Sequence, residues 1–171
     1  MKKLLLFAAI LFFCTDSFAQ GGKRKSPHDT LTYANGVITY GRPYKHDRDI
    51  FGVLVKYGQV WRVGADEATT ISFVKDASFG GQDIPAGTYT LFALVNPEEW
   101  TVILNTQLGQ WGSFAYEKNK DKDIAHIKVK VQENEDVVEQ LTISYDEDEQ
   151  ALIIEWDKVK VTVPLSFQTE D

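Results

Sequence analysis

The sequence predicts an all-β protein, a single-domain antiparallel β-sandwich that carries one long ordered loop. Apolar and polar residues alternate with period two along much of the chain, most strictly from Val159 to Phe167. This alternation is typical of strands with one buried and one solvated face. Helical periodicity is nearly absent. Turn signals separate roughly eight to ten short strands, which is the pattern of a sandwich or barrel.

The N-terminus has the layout of a secretory signal peptide. A basic start, Met1-Lys2-Lys3, precedes an apolar run of 11 residues over 4–14, and small residues at both ends of Ser17-Phe18-Ala19 mark a cleavage site after residue 19. The run is too short to cross a bilayer, which takes about 20 residues. Bulky Phe13 argues against a lipoprotein anchor at Cys14. We therefore expect an exported protein, periplasmic or extracellular, without a transmembrane segment.

The charge and cysteine content exclude several function classes. The whole chain has 18 basic and 25 acidic residues, and loss of Lys2, Lys3 and Asp16 with the signal peptide leaves 16 and 24 in a mature chain of 152 residues. Nucleic-acid binding needs a basic surface, so we expect no nucleic-acid partner. Because Cys14 also leaves, the mature chain has no thiol nucleophile and no cysteine-bound zinc.

The first strands follow a polar leader over 20–30, and the domain is expected over 31–168. Leu31–Ala34 and Val37–Arg42 flank Asn35-Gly36, the strongest short signal for a hairpin. Further strands are predicted at three places: Thr69–Lys75, Thr88–Val95 and Trp100–Asn105. Gly80-Gly81 and Ile84–Gly87 predict a tight connection between the first two of these.

The last third of the chain alternates most clearly. One predicted strand has an apolar face of Ala125, Ile127, Val129 and Val131, and its other face carries His126 among polar residues. The next strand alternates through Val137, Leu141, Ile143 and Tyr145. An acidic turn over 146–149 follows, and after it Leu152, Ile154 and Trp156 alternate. This pattern predicts long antiparallel strands with one face in the core.

The segment over 42–68 shows no strand alternation. Connections longer than about 12–15 residues are uncommon in compact domains and are often functional. Its candidate functional residues are Arg42, Arg48, Trp61, Arg62, Asp66 and Glu67, and Trp111 from a later loop joins them. Two interpretations stay open. The charges form an ion-pair network that pins the loop, or the arginines bind a polar ligand while Trp61 and Trp111 offer a flat exposed face.

Several motifs in this order resemble a known family. They are Tyr40–Pro43, Arg48–Gly52, Tyr57–Arg62, Gly64–Thr69, Pro85–Tyr89, Glu99–Ile103 and Trp111-Gly112. Together they resemble the secreted bacterial family catalogued as domain of unknown function 2911, over roughly 31–167. The resemblance implies export, a β-rich single domain and a recurrent Arg/Trp/Glu cluster, and it implies no established activity. The chain departs from the family pattern at Val63, where Thr is usual, and at Asp66, where Asn is usual.

The chain shows no motif for a catalytic, metal or cofactor site, and we predict none. Asp66 and Glu67 are neighbours whose side chains diverge in an extended chain, so they do not form a glycosidase pair with each other. A carboxylate partner that the fold brings in, such as Asp49 or Glu99, stays open. The aspartates near 121 lack the Gly and Glu that a calcium loop needs. The three histidines lie far apart, and no nucleophile elbow or phosphate loop is present.

Three functions follow as hypotheses. The leading one is a non-catalytic binding protein of the cell envelope, whose loop cluster binds a glycan, a peptide or an envelope protein. The second is a hydrolase of glycans or peptides with Glu67 or Asp66 as acid and base. The third is a structural, partner-binding domain in which the contacts of the loop only stabilise the fold.

Overall fold

The computed structural model describes residues 23–167, so the predicted signal peptide lies outside the described residues. The strands are β1 (His28–Tyr33), β2 (Gly36–Gly41), β3 (Gln59–Trp61), β4 (Thr70–Phe73), β5 (Ala77–Phe79), β6 (Gln82–Ile84), β7 (Gly87–Val95), β8 (Glu99–Asn105), β9 (Asp123–Asp146) and β10 (Ala151–Phe167). One helical turn, α1 (Tyr116–Asn119), continues into a 3-10 turn, Lys120–Lys122. The predicted all-β antiparallel class is confirmed. Within the described range no helix is long and apolar enough to cross a membrane.

The strands form one sheet that folds over its own inner face. Its order is β1-β2-β4-β7-β8-β9-β10-β5-β6, and β3 pairs with β7. The long strand β9 makes the fold possible, because its first part over 123–130 pairs with β8 and its later part over 131–146 pairs with β10. Aromatic contacts join strands that are distant in the sheet order. Tyr33 stacks on Tyr145 at 4.8 Å between ring centroids, and Phe73 meets Phe167 at 6.1 Å.

The first hairpin forms as predicted, but its turn differs. Tyr33 pairs directly with Gly36, so Ala34 and Asn35 are the two turn residues. Gly36 has a different role, because a Cβ on it would lie 2.1 Å from the carbonyl oxygen of Ser72 on the neighbouring strand. Close approach of backbones, and not turn conformation, requires glycine at this position.

The tight connection predicted around Gly80-Gly81 is a small hairpin in its own right. β5 and β6 pair on either side of these glycines, and β5 pairs with β10 at the far end of the sheet. Both glycines have positive φ, +57° and +82°, as a tight two-residue turn requires.

The alternation in the last third is confirmed with one exception. Ala125, Ile127 and Val129 are buried, and the intervening side chains are exposed. Val137 was expected in the core but is 49% exposed, because it lies where the pairing of β9 with β10 shifts in register opposite Asp157. The helical turns over 116–122 were not predicted, since a single turn is too short to show a helical period.

The segment over 42–68 is ordered, but it is not a pure loop. β3 lies inside it and pairs with β7, which places Trp61 opposite Ala93. At its start, Lys45 donates its backbone N–H to the Glu139 carbonyl, and Leu141 donates to the Pro43 carbonyl. The segment therefore pairs with the later part of β9 around Gln140 and covers one end of the core.

Candidate functional site

Trp61 lies in an aromatic cluster at the end of the core. Its ring stacks on Trp156 at 6.1 Å and 16°, and it meets Trp100 edge-on at 5.8 Å. The indole N–H donates to the Gly64 carbonyl at 3.2 Å. Trp61 is only 8% exposed, so the expectation that it offers a flat exposed face is wrong. Its burial is favoured because the ring packs against three other aromatic side chains, including Phe51.

Trp111 lies apart from Trp61. It is half-buried and forms an isolated antiparallel bridge with Glu67. Two hydrogen bonds flank this bridge, from Ala68 N–H to the Gln110 carbonyl and from Gly112 N–H to the Asp66 carbonyl. Trp111 therefore ties two loops together, and the predicted Trp61/Trp111 platform does not form.

A cleft of about 670 Å³ opens beside Trp61. We call it the arginine cleft, and four of the predicted site residues line it: Arg48, Trp61, Arg62 and Asp66. Arg42, Glu67 and Trp111 do not. Sequence reasoning missed other lining residues, chiefly Lys25, Tyr44, His46 and Trp156. The volume lies in the range of small-molecule sites.

Arg62 is placed by a strained turn that follows β3. Thr69 closes the turn, since its N–H donates to the Arg62 carbonyl at 3.2 Å and its hydroxyl to the Val63 carbonyl at 2.8 Å. Val63 has φ +52° and Asp66 has φ +63°. A β-branched residue in this region is strained by about 1–3 kcal/mol. Such strain persists where the surrounding structure fixes the backbone, as the buried Thr69 does here.

The Arg62 side chain carries an unsatisfied donor. Its Nε is buried and has no acceptor among residues 23–167. Burial lowers the pKa of Arg62, and the nearby charge of Asp66 partly opposes this effect. No salt bridge joins Arg62 to Asp66 within 4.0 Å, so the guanidinium keeps a donor for another acceptor.

Trp156 supplies a second unsatisfied donor in the arginine cleft. Only 2% of the residue is exposed, and its Nε1 has no acceptor within the described range. The β9–β10 register shifts on both sides of Asp157, which has φ +57°. A β-bulge of this kind redirects the neighbouring side chains. A buried indole N–H usually finds a partner, and leaving it without one costs about 1–3 kcal/mol.

Asp66 and Glu67 anchor the start of the described chain. Asp66 Oδ2 accepts the backbone N–H groups of Lys25 at 2.9 Å and Ser26 at 3.0 Å. Glu67 Oε1 accepts from Arg24 Nε at 2.8 Å. Glu67 Oε2 has no hydrogen-bond partner within 23–167, because His28 Nε2 at 3.6 Å is beyond hydrogen-bonding distance. These contacts hold residues 25–27 in place as one wall of the arginine cleft.

Arg42 and Arg48 bind protein groups. Arg42 donates to the Leu141 carbonyl at 3.0 Å and to Thr142 Oγ1 at 3.0 Å, and it pairs with Asp29 at 3.2 Å. It therefore fixes the segment to β9, as the ion-pair interpretation expects. Arg48 lines the cleft and is exposed, but it donates to the carbonyls of two neighbours in its own turn, at 45 and 44.

The charge of the arginine cleft is opposite to that of the protein. Three cationic side chains line it, Lys25, Arg48 and Arg62, against one carboxylate, Asp66. The whole chain carries a net charge of −7. A concave site with excess positive charge concentrates anions. No group of His, Cys, Asp or Glu suited to a metal ion occurs between residues 23 and 167.

A second cleft of about 490 Å³ lies over the outer face of β3, β7 and β8. His126 lines it, with Nε2 3.2 Å from the Asp123 carboxylate. The same carboxylate accepts from Tyr116 at 2.6 Å and from Asn105 at 2.7 Å. Burial and this hydrogen bond raise the pKa of Tyr116. No described side chain of this cleft has a buried polar atom without a partner, so the arginine cleft is the stronger candidate.

Comparison with known proteins gives one match. A family model described as "Protein of unknown function (DUF2911)" matches residues 25–165. Searches of curated proteins and of solved structures return no match. The matched range includes all ten strands up to the last two residues of β10, together with the whole arginine cleft. The chain therefore belongs to the family of proteins of unknown function DUF2911.

Proposed function

We propose that the protein is exported and acts as a non-catalytic binding protein of the cell envelope, with the arginine cleft holding a small anionic ligand. One observation carries the proposal. Two buried donors, Arg62 Nε and Trp156 Nε1, have no acceptor among the described residues, and both side chains line the same cleft. An anion supplies the acceptors that these donors lack.

The charge around the two donors supports an anion over a neutral ligand. Lys25 and Arg48 are exposed and Arg62 is half-buried, and all three side chains line the cleft. Partial burial of a guanidinium is costly, Asp66 offsets only part of that cost, and an anionic ligand offsets more of it. Among the glycans and peptides that were predicted as ligands, we therefore favour those that carry a negatively charged group.

The hydrolase hypothesis receives less support from the geometry. Asp66 is the one carboxylate among the described residues that line the arginine cleft. Its Oδ2 already accepts two backbone N–H bonds. Glycoside hydrolysis takes two carboxyls across a cleft, and Glu67 lies outside this one. We therefore favour binding over catalysis.

Calorimetric titration of an anion panel tests the binding proposal. The chain is expressed with its own signal peptide, purified, and titrated with acetate, phenylacetate, phosphate, sulfate and glucuronate. At least one anion should bind wild type, and Arg62→Gln should weaken that binding by about tenfold or more. Arg42→Gln is the matched control, since Arg42 lies outside the arginine cleft, and it should bind like wild type.

The outcome that contradicts binding is equally specific. If none of the anions binds, or if Arg42→Gln loses as much affinity as Arg62→Gln, the cleft is not an anion site. Export is tested on the same purified protein by its intact mass. The mass should correspond to a chain that begins at Gln20, and a mass that retains residues 1–19 would contradict export.

A further inference from the structure

We infer that the ligand of the arginine cleft is a monocarboxylate with a small aromatic or aliphatic body. This inference rests on the proposed function and deepens it, because it names the chemical class of the anion. Three features of the cleft support it. They are the number of buried donors without an acceptor, the number of cationic side chains near them that pair with no other group, and the exposed apolar side chains that also line the cleft.

The number of donors at the buried end fits a carboxylate. Arg62 Nε and Trp156 Nε1 are the two buried, unpartnered donors that the structure describes in this cleft. A carboxylate offers two oxygens and is acceptor-only when ionised. A carboxylate therefore offers as many acceptor oxygens as there are unpartnered donors, and charge-assisted bonds to it are stronger than bonds to a neutral carbonyl.

The charge at the buried end fits one negative charge and not two. Arg62 is the one cation there, and the charge of Asp66 already acts on it. Arg48 is committed to two backbone carbonyls, and Lys25 is exposed. A phosphate monoester carries about −1.5 to −2 at neutral pH, so part of its charge would be buried without compensation.

Part of the remaining lining is apolar and open to solvent, and polar Ser26 and His46 line the cleft beside it. Tyr44 is 41% exposed and Leu54 is 47% exposed, and both line the cleft together with Pro27 and Pro43. Exposed aromatic and aliphatic side chains are stabilised when an apolar surface covers them and removes them from water. A ligand body that is a ring or a short chain makes that contact with Tyr44 and Leu54.

A matched series of four probes tests this inference by calorimetric titration. The probes are phenylacetate, its neutral isostere phenylacetamide, acetate, which lacks the body, and phenyl phosphate, which carries more charge. We expect phenylacetate to bind about tenfold or more tightly than each of the other three. Trp156→Phe, which removes the N–H and keeps an aromatic ring, should weaken phenylacetate binding by about 10- to 100-fold. Trp111→Phe is the matched control outside the cleft and should leave the affinity unchanged.

The other outcomes separate this inference from the proposed function. If phenyl phosphate binds more tightly than phenylacetate and this binding depends on Arg62, the ligand is not a monocarboxylate, but the cleft is still an anion site. The same conclusion holds if acetate and phenylacetate bind with equal affinity, because the ligand body then contributes nothing. If phenylacetamide binds as tightly as phenylacetate, the negative charge does not contribute to binding. That result contradicts both the monocarboxylate class and the anion site. If none of the four probes binds, the monocarboxylate class is wrong, and the anion panel decides the proposed function separately. If Trp156→Phe fails to fold, Arg62→Gln provides the same comparison across the four probes.

Discussion

Asp66 Oδ2 accepts the backbone N–H of Ser26 at 3.0 Å, although 40 residues separate the two along the chain. The same oxygen accepts from Lys25 N–H. The positive φ of Asp66 belongs to the turn that also places Arg62. One side chain therefore couples the wall of the arginine cleft to the turn that supplies its buried cation.

The first prediction concerns this anchor. Asp66→Ala should raise the amide exchange rate of Ser26 by about fivefold, which corresponds to the roughly 1 kcal/mol of a lost hydrogen bond. Asp66→Asn should change the rate less, because its amide oxygen still accepts and Asn tolerates positive φ. Hydrogen exchange measured by NMR checks both variants. Unchanged protection of Ser26 in Asp66→Ala would show that the carboxylate does not hold the wall.

The second prediction concerns the contact between Gly41 and Ala65 behind the cleft. A Cβ on Gly41 would lie 2.0 Å from the Ala65 carbonyl oxygen, which is backbone and cannot turn aside. Gly41→Ala should therefore cost about 3 kcal/mol or more in free energy of unfolding, measured in urea. Gly58 is the matched control, because it has φ +72° but nothing within 4 Å of an added Cβ. Gly58→Ala should cost about 1–2 kcal/mol from backbone strain alone. Equal losses in the two variants would contradict the close contact.

The third prediction separates a structural arginine from a ligand-binding one. Arg42→Gln removes the fork that joins the Leu141 carbonyl, Thr142 and Asp29, and should lower the free energy of unfolding by about 1–3 kcal/mol. Arg42→Lys should recover little of this loss, because a single ammonium cannot reproduce the planar fork. Neither variant should change anion affinity. A loss of affinity without a loss of stability would mean that Arg42 acts on the ligand.

The fourth prediction is a loss of stability at alkaline pH. Burial, and to a lesser extent the neighbouring Tyr145, raises the pKa of Tyr33 far above its ordinary value. Below about pH 10 the hydroxyl is protonated in both folded and unfolded chains, so stability does not depend on it there. Above that pH the unfolded chain releases the proton while the folded chain keeps it, so stability falls by up to about 1.4 kcal/mol per pH unit.

Urea unfolding at pH 9, 10 and 11 measures this effect. Tyr33→Phe should make the alkaline slope shallower, because the variant has no proton to release at this site. Tyr57→Phe is the control, since Tyr57 is 43% exposed. If Tyr33→Phe and wild type lose stability in parallel, Tyr33 does not stay protonated in the folded state.

The period-two alternation was enough to predict most of the sheet. Ile127, Val129, Val161 and Val163 are buried as their spacing indicates, because a strand with one wet face repeats every second residue. Alternation gave no sign that β9 changes partners after Lys130, or that its register with β10 shifts opposite Asp157, where Val137 is exposed. Short elements such as β3 and α1 were missed because three or four residues carry no measurable period.

The candidate site was predicted in part. The sequence predicted three residues that line the arginine cleft: Arg48, Arg62 and Asp66. The signal was a charged segment that is longer than most connections in compact domains. Trp156 looked like an ordinary core residue, since a bulge and an unpaired indole N–H have no signature in sequence. Trp61 was expected at the surface, yet its ring is held among other aromatic residues. Residue type predicted the chemistry near the cleft, but Trp156, whose unpaired N–H lies at the cleft, comes from the distant strand β10.

The most direct test of the anion site is the indole N–H signal of Trp156 in a ¹⁵N-labelled chain. Trp156→Phe identifies the signal by removing it. Titration with phenylacetate should move this signal in a saturable way, and Arg62→Gln should abolish the movement at the same concentrations. If phenylacetate binds while the Trp156 signal stays in place, the indole N–H does not meet the ligand and the site described here is wrong.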